Sequence, residues 1–176
     1  MLRSRAELAM RKRLAEVEPS MRCGIGLHTG RVVAGTIGSD QIFAYGLIGS
    51  VVNQASRVEG ITKTIGAPVL VTREIAQKLT AGSGASATPF GLFRPAGMTA
   101  DLELYELRAG PLDSARAAAF SAAVEGLRSA RWADVATALA GLPADDGPAR
   151  YLAAYAEKCA NVPPPAWRGV IELSEK

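Results

Sequence analysis

The run GIGLHTGRVVAGTIGS at residues 24–39, followed by FAYGLIG at 43–49 and VVNQASRVEGITKTIG at 51–66, carries most of the reading of this chain. Ile25 and Leu27 alternate with glycines, and Val32, Val33 and Ile37 follow a Thr29-Gly30 turn. That pattern predicts a hairpin within 21–38. FAYGLIG reads as a third strand. Val51, Ala55, Val58 and Ile61 then recur at helical spacing, and Gly66 supplies the stop.

Downstream of this run, PVLV at 68–71 is a short buried strand, Thr72 a candidate N-cap and REIAQKL at 73–79 a helix. AGSGASATP at 81–89 reads as a flexible loop, after which GLFRPAG and DLELYEL form a hairpin that closes the sheet. Upstream, Leu2, Leu8, Met10, Leu14 and Val17 sit among charges and predict an amphipathic helix over 1–18, ended by Pro19-Ser20. Beyond Pro111 the composition shifts, with 17 alanines in the 50 residues from 111 to 160. Gly141-Leu142-Pro143 and Asp145-Asp146-Gly147-Pro148 divide this region into helices near 114–129, 131–140 and 148–160. Trp132, Ala136 and Ala140 suggest a helix pair of tetratricopeptide (TPR) type. One and a half such units are too few to stand alone, so they are expected to pack on the preceding domain or on a partner. Three segments result: a helix over 1–20, an α+β body over 21–110 and an α-helical TPR-like tail over 111–176.

At 176 residues, with 48% hydrophobic and 21% charged residues, the chain suits one compact domain with a helical appendage. A net charge of +3 from 20 basic and 17 acidic residues gives no dense basic stripe, so no nucleic-acid partner is expected. The cluster Arg3, Arg5, Arg11, Lys12 and Arg13 reads as a solvated helix face. Two distant cysteines and a single histidine signal neither zinc nor a disulfide framework. Cys23 and Cys159 are expected as small buried apolar residues, and His28 as a ring that pins its turn. Without an apolar run near 18 residues, this segment is expected to make no membrane contact and to work in the cytoplasm.

The glycines invite a nucleotide motif, and the spacing refuses the two commonest. Gly24-x-Gly26 is followed by Gly30 with three residues between, which misses GxGxxG, and the run goes strand to turn to strand where a dinucleotide site needs a helix. From Gly30 to Gly35 the span is that of a phosphate loop, but Thr36 stands where lysine is required. A better candidate is Asn53 with Arg57. Four residues apart, they share one helix face near its N-terminal end, where the helix dipole favours negative charge. Such a pair suits a polyphosphate; the competing reading is an exposed polar helix face.

In family order, GIGLHTGRVVAGTIGS, YGLIGSVVNQASRVEGITK, PVLV and LELYEL resemble the second half of a class III adenylate/guanylate cyclase catalytic domain, over residues 21–107. The tail, with DDGPA, PPPAW and GVIELSEK, resembles a helical extension found after some bacterial cyclase domains. The resemblance implies a partial ferredoxin-like α+β sheet with helices on one face. It also implies conversion of a nucleoside triphosphate, ATP in preference to GTP, to the 3′,5′-cyclic monophosphate and pyrophosphate in intracellular signalling. Asn53 would orient the ribose and Arg57 stabilise the transition state, at a site shared with a second cyclase domain in a homodimer or heterodimer.

Departures from the family pattern bear on activity. The family holds two Mg²⁺ or Mn²⁺ ions with two aspartates in the first half of its domain, and no counterpart of either is identified in this chain, so no metal ligand is assigned. The position that helps read the base, seven before the asparagine, is Gly46, and Ser50 stands where the family often has aspartate. Ala96 precedes Gly97 where many members have a triphosphate-binding lysine. The expectation is therefore a C-terminal part of a cyclase, inactive by itself. The alternative is a catalytically inactive cyclase-homology module that serves as a dimerisation or regulatory partner.

Overall fold

The computed structural model describes residues 23–39, 42–80 and 82–173; the helix expected over 1–18 lies outside them. In chain order the elements are β1 (Ile25–Leu27), β2 (Val33–Ser39), β3 (Ile42–Ile48), α1 (Ser50–Ile65), β4 (Val69–Thr72) and α2 (Arg73–Ala76). They continue with β5 (Ala85–Arg94), β6 (Leu102–Ala109), α3 (Ser114–Arg128), α4 (Trp132–Leu139), α5 (Gly147–Asn161) and β7 (Val170–Glu172). Five strands form one sheet in the order β1-β4-β6-β5-β7, and β2 with β3 forms a separate two-stranded ribbon. The architecture is α+β, with mixed pairing.

The expected hairpin over 21–38 does not form. β1 pairs parallel with β4, Ile25 opposite Val69 and Leu27 opposite Val71, whereas β2 pairs antiparallel with β3. A parallel pair needs a crossover, and α1 provides it. Gly24 and Gly26 permit that crossover to lie directly on the strand: a Cβ at Gly26 would run into the backbone of α1 at Glu59, and one at Gly24 into Thr62. Gly24 and Gly26 thus serve helix packing.

Three further expectations need correction. Ala85–Pro89 is the first half of β5, where a flexible loop was expected; its small residues pair with Leu107–Ala109 of β6. The register shifts between Pro89 and Gly91, a bulge that tolerates a residue without an N–H. REIAQKL is helical only over Arg73–Ala76, and Thr72 gives it no side-chain cap. The tail leaves the helical pattern after Asn161: Val170 and Ile171 are buried in β7, parallel to β5. A β-branched pair at a sheet edge satisfies both backbone and burial there.

Val58, Ile61 and Ile65 of α1, Phe120 and Leu127 of α3, and Leu152 and Ala156 of α5 bury one continuous core with Leu70, Phe90, Phe93, Leu104 and Ile171 of the sheet. Phe90 stacks on Phe93 at 5.4 Å and meets Phe120 and Tyr151 at 6.0 and 6.3 Å. The Ala-rich region therefore shares its core with the sheet. Asp113 and Asp146 cap α3 and α5 through the N–H groups of Arg116 and Ala149.

Candidate functional site

Helix α1 begins after Gly49, and its first two turns carry the predicted pair. Asn53 is exposed and Arg57 half-buried, one turn further along. Val58, Ile61, Thr62 and Ile65 occupy the adjoining, buried side, and Ile61, one turn past Arg57, also borders the cleft; the helical period that seats α1 on the sheet thus places the pair at the edge of its buried face. Both residues line one cleft of ≈770 Å³. The facing wall is the β5–β6 connection, Pro95 to Ala100, with Leu173 from the end of β7 closing one side.

Arg57 is the only cation among the lining residues, and Glu59 the only carboxylate. Among the described residues the Arg57 guanidinium has neither an ion pair nor a hydrogen-bonding partner. Its Nη2 lies 3.5 Å from where a Cβ at Gly97 would stand. Gly97 has φ +73°, a left-handed conformation that turns the connection tightly beside the guanidinium. A half-buried cation facing open space beside the polar side chains of Asn53, Gln54, Ser56 and Thr99 is suited to an anion.

Of the positions where the sequence departs from the family pattern, Ser50 and Ala96 line the cleft. Gly46 lies on β3 opposite Gly35, outside the cleft lining. His28 lies against β4, its Nδ1 2.8 Å from Thr72 Oγ1 and 3.7 Å from Glu74 Oε2. The hydrogen bond from Thr72 holds the Glu74 carboxyl below its usual range. Cys159 is buried, and burial pushes its thiol up; Cys23, expected inside, is exposed.

Mg²⁺ or Mn²⁺, implied by the family resemblance, finds no matching donor set here. The cleft offers one carboxylate, and among the described residues no group of three or more His, Cys, Asp and Glu side chains converges. Leu173 escaped the sequence reading: it reaches the cleft only because β7 returns to the sheet.

Residues 4–93, half of the chain, match the family of adenylate and guanylate cyclase catalytic domains. The adenylate cyclase of Anabaena cylindrica is 42% identical over 62 residues, which cover 35% of this chain and 12% of that protein. Adenylate cyclase 1 of Rhizobium meliloti is 32% identical over 89 residues, 51% of this chain and 13% of that one. The matched stretch thus spans about an eighth of the length of these relatives. A solved bacterial light-regulated adenylyl cyclase aligns with a TM-score of 0.40 at 24% identity, covering 53% of this chain and 27% of its own. With the family matched over half of its length, helix α1 with Asn53 and Arg57 included, the chain belongs to the adenylate and guanylate cyclase catalytic domain family.

Proposed function

We propose that the cleft between α1 and the β5–β6 connection is half of a nucleoside triphosphate site, contributed to a dimer with a second cyclase domain. The assembled site converts ATP, and less readily GTP, to the 3′,5′-cyclic monophosphate in intracellular, cytoplasmic signalling. In the reaction the ribose 3′-oxygen attacks the α-phosphorus, its proton leaves to a base or solvent, and the bond to the departing pyrophosphate breaks. Asn53 holds the ribose by hydrogen bonding, which fixes the attacking oxygen in line. Arg57 donates to the phosphoryl oxygens as charge builds on them. The observation that carries the reading is the pair's common face: Asn53 and Arg57 open into one cleft, and the guanidinium has no competing carboxylate partner among the described residues.

Dimerisation is supported by the β2–β3 ribbon. Val33 and Ile48 on one face, and Tyr45 and Leu47 on the other, are 70%, 57%, 77% and 53% exposed, apolar side chains of the kind that a partner covers. Among the described residues no helix is long and apolar enough to cross a membrane. The TPR-like tail belongs to the same reading: α3 and α4 make a helix pair, and the tail packs on this chain's own sheet.

A second reading, an inactive cyclase-homology module in a regulatory dimer, is favoured by Gly46 and Ala96, which lack side chains able to read a base or bind a phosphate. One experiment separates the two. The chain is mixed with an intact cyclase domain whose own asparagine and arginine have been replaced, and cyclic nucleotide is measured. Activity restored by the native chain and lost on Arg57→Ala supports the catalytic reading. Co-elution without restored activity supports the regulatory one.

A further inference from the structure

The wall of the cleft opposite Arg57 is held by a single residue at its base. Arg94 ends β5, and Asp101 precedes β6, so the pair brackets the connection Pro95–Ala100. Arg94 Nε and Nη2 both reach Asp101 Oδ1, at 2.8 and 2.7 Å. Its remaining nitrogen, Nη1, donates to Glu172 Oε1 of β7 at 3.0 Å. The backbone of the same residue accepts from the N–H of Leu173 at 2.9 Å, and Leu173 then lines the cleft. Arg94 is therefore tied at once to the far end of the connection and to the last strand of the Ala-rich tail.

We propose that Arg94 is a positioning residue through which β7 sets the wall that faces Arg57, so that the tail tunes how tightly the cleft holds a triphosphate. The proposal rests on the reading of the cleft as a triphosphate site. Its physical basis is geometric. With both ends of the connection fixed, Gly97 stays beside the guanidinium; with Glu172 neutralised, the Arg94 side chain loses its charged partner on the tail while the backbone bond to Leu173 remains, and the connection gains freedom to move away. Arg94 is half-buried and Glu172 exposed, so the coupling is modest, and removing it should weaken triphosphate binding about two- to five-fold.

The full chain is titrated by calorimetry at low ionic strength with inorganic triphosphate and with ATP, as native protein and as the Glu172→Gln, Asp101→Asn and Arg57→Ala variants. In parallel the methyl resonance of Met98, which lines the cleft and is assigned by Met98→Leu, reports the position of the connection without any ligand. Glu172 is 65% exposed, so Glu172→Gln should fold normally, and its melting temperature is recorded as a control. The expected result is a shifted Met98 resonance with two- to five-fold weaker binding in Glu172→Gln. Asp101→Asn should weaken binding at least as much, and Arg57→Ala by about tenfold or more. A Glu172→Gln variant that binds as the native chain does, while Arg57→Ala loses affinity, overturns the positioning role and leaves the site reading intact. A lower melting temperature with unchanged affinity and Met98 shift makes the contact merely structural and also overturns it. If the native chain does not bind, or Arg57→Ala binds as well as native, the site reading falls and the proposal with it.

Discussion

Replacing Arg116 with methionine tests whether sheet and tail are one cooperative structure. Arg116 of α3 is 4% exposed and lies between two buried carboxylates. Its Nη2 is 2.6 Å from Glu106 Oε2 of β6, its Nε 2.8 Å from Asp146 Oδ2 at the start of α5, and its guanidinium stands 4.4 Å over the Phe120 ring. Removing one partner from a buried ion pair costs about 3–5 kcal/mol, because the other charge is left uncompensated. Arg108 moderates this: its Nε is 3.1 Å from Glu106 and its Nη2 3.7 Å from Asp146, so neither carboxylate is stranded. The lower end, about 3 kcal/mol, is therefore expected. With a urea slope of about 2 kcal/mol/M, the midpoint should fall by about 1.5 M. Both tryptophans, Trp132 and Trp167, lie in the tail, so their fluorescence follows the tail while far-ultraviolet dichroism follows the whole. The two signals should move together in native protein and in Arg116→Met. A loss below about 1 kcal/mol, or a tail signal that melts ahead of the dichroism in native protein, would refute the reasoning.

The chain by itself should form no cyclic nucleotide from ATP or GTP with Mg²⁺ or Mn²⁺, since its cleft carries one carboxylate; chelator-sensitive product above a heat-killed control would contradict this. Acid should destabilise the fold through Asp146. Burial pushes that carboxyl up, but Arg116 and the Ala149 N–H outweigh it and leave it below the usual range. Its folded value being depressed, its contribution is present above the ordinary aspartate range and lost as pH falls through the lower, folded value. Urea midpoints from pH 7 to pH 3 should therefore drop more steeply for native protein than for Asp146→Asn. Gly26→Ala should displace α1, since the new Cβ would stand 2.7 Å from the Ala55 carbonyl oxygen and closer still to Glu59; a cost of about 1–3 kcal/mol by thermal unfolding is expected, with reduced rescue in the mixed-domain assay.

What the sequence made legible was local. Asn53 and Arg57 share a face because a helix repeats every 3.6 residues, and the cleft inherits that spacing directly. The extents of α1, α3, α4 and α5 follow from the same periodicity and from punctuation by glycine, proline and aspartate. Strand partners were not legible in this way. Ile25 and Leu27 announce a strand, yet nothing in their alternation distinguishes a hairpin with β2 from a parallel ladder with β4, reached across the β2–β3 ribbon and α1. Thr72 illustrates a competing bond: its hydroxyl has the right place for a cap, and it engages His28 instead. Glu106, Arg116 and Asp146 are ordinary charges in the sequence, and only packing converts them into a buried cluster. Val170 and Ile171 gave the tail a strand signal too short to compete with the alanine pattern before it.

Charge balance bears on what must meet this cleft. A nucleoside triphosphate carries several negative charges, and the lining supplies one guanidinium against one carboxylate, so these side chains contribute almost no net positive charge. Arg57 alone discriminates poorly between ground state and transition state if the remaining phosphate charge is unscreened. The catalytic reading therefore needs further cations, delivered by metal ions on another domain's carboxylates or by that domain's own basic side chains. The exposed apolar ribbon of β2 and β3 follows directly into Gly49 and the first turn of α1, where Asn53 stands. Under the proposed function, a partner seated on that ribbon would meet the chain just before the first turn of α1, and could bring those cations to the cleft. On the other side, β7 already occupies the edge of β5 and Leu173 closes the wall. The cleft is thus bounded by this chain's own tail on one flank, and under the proposed function a second domain would complete the other.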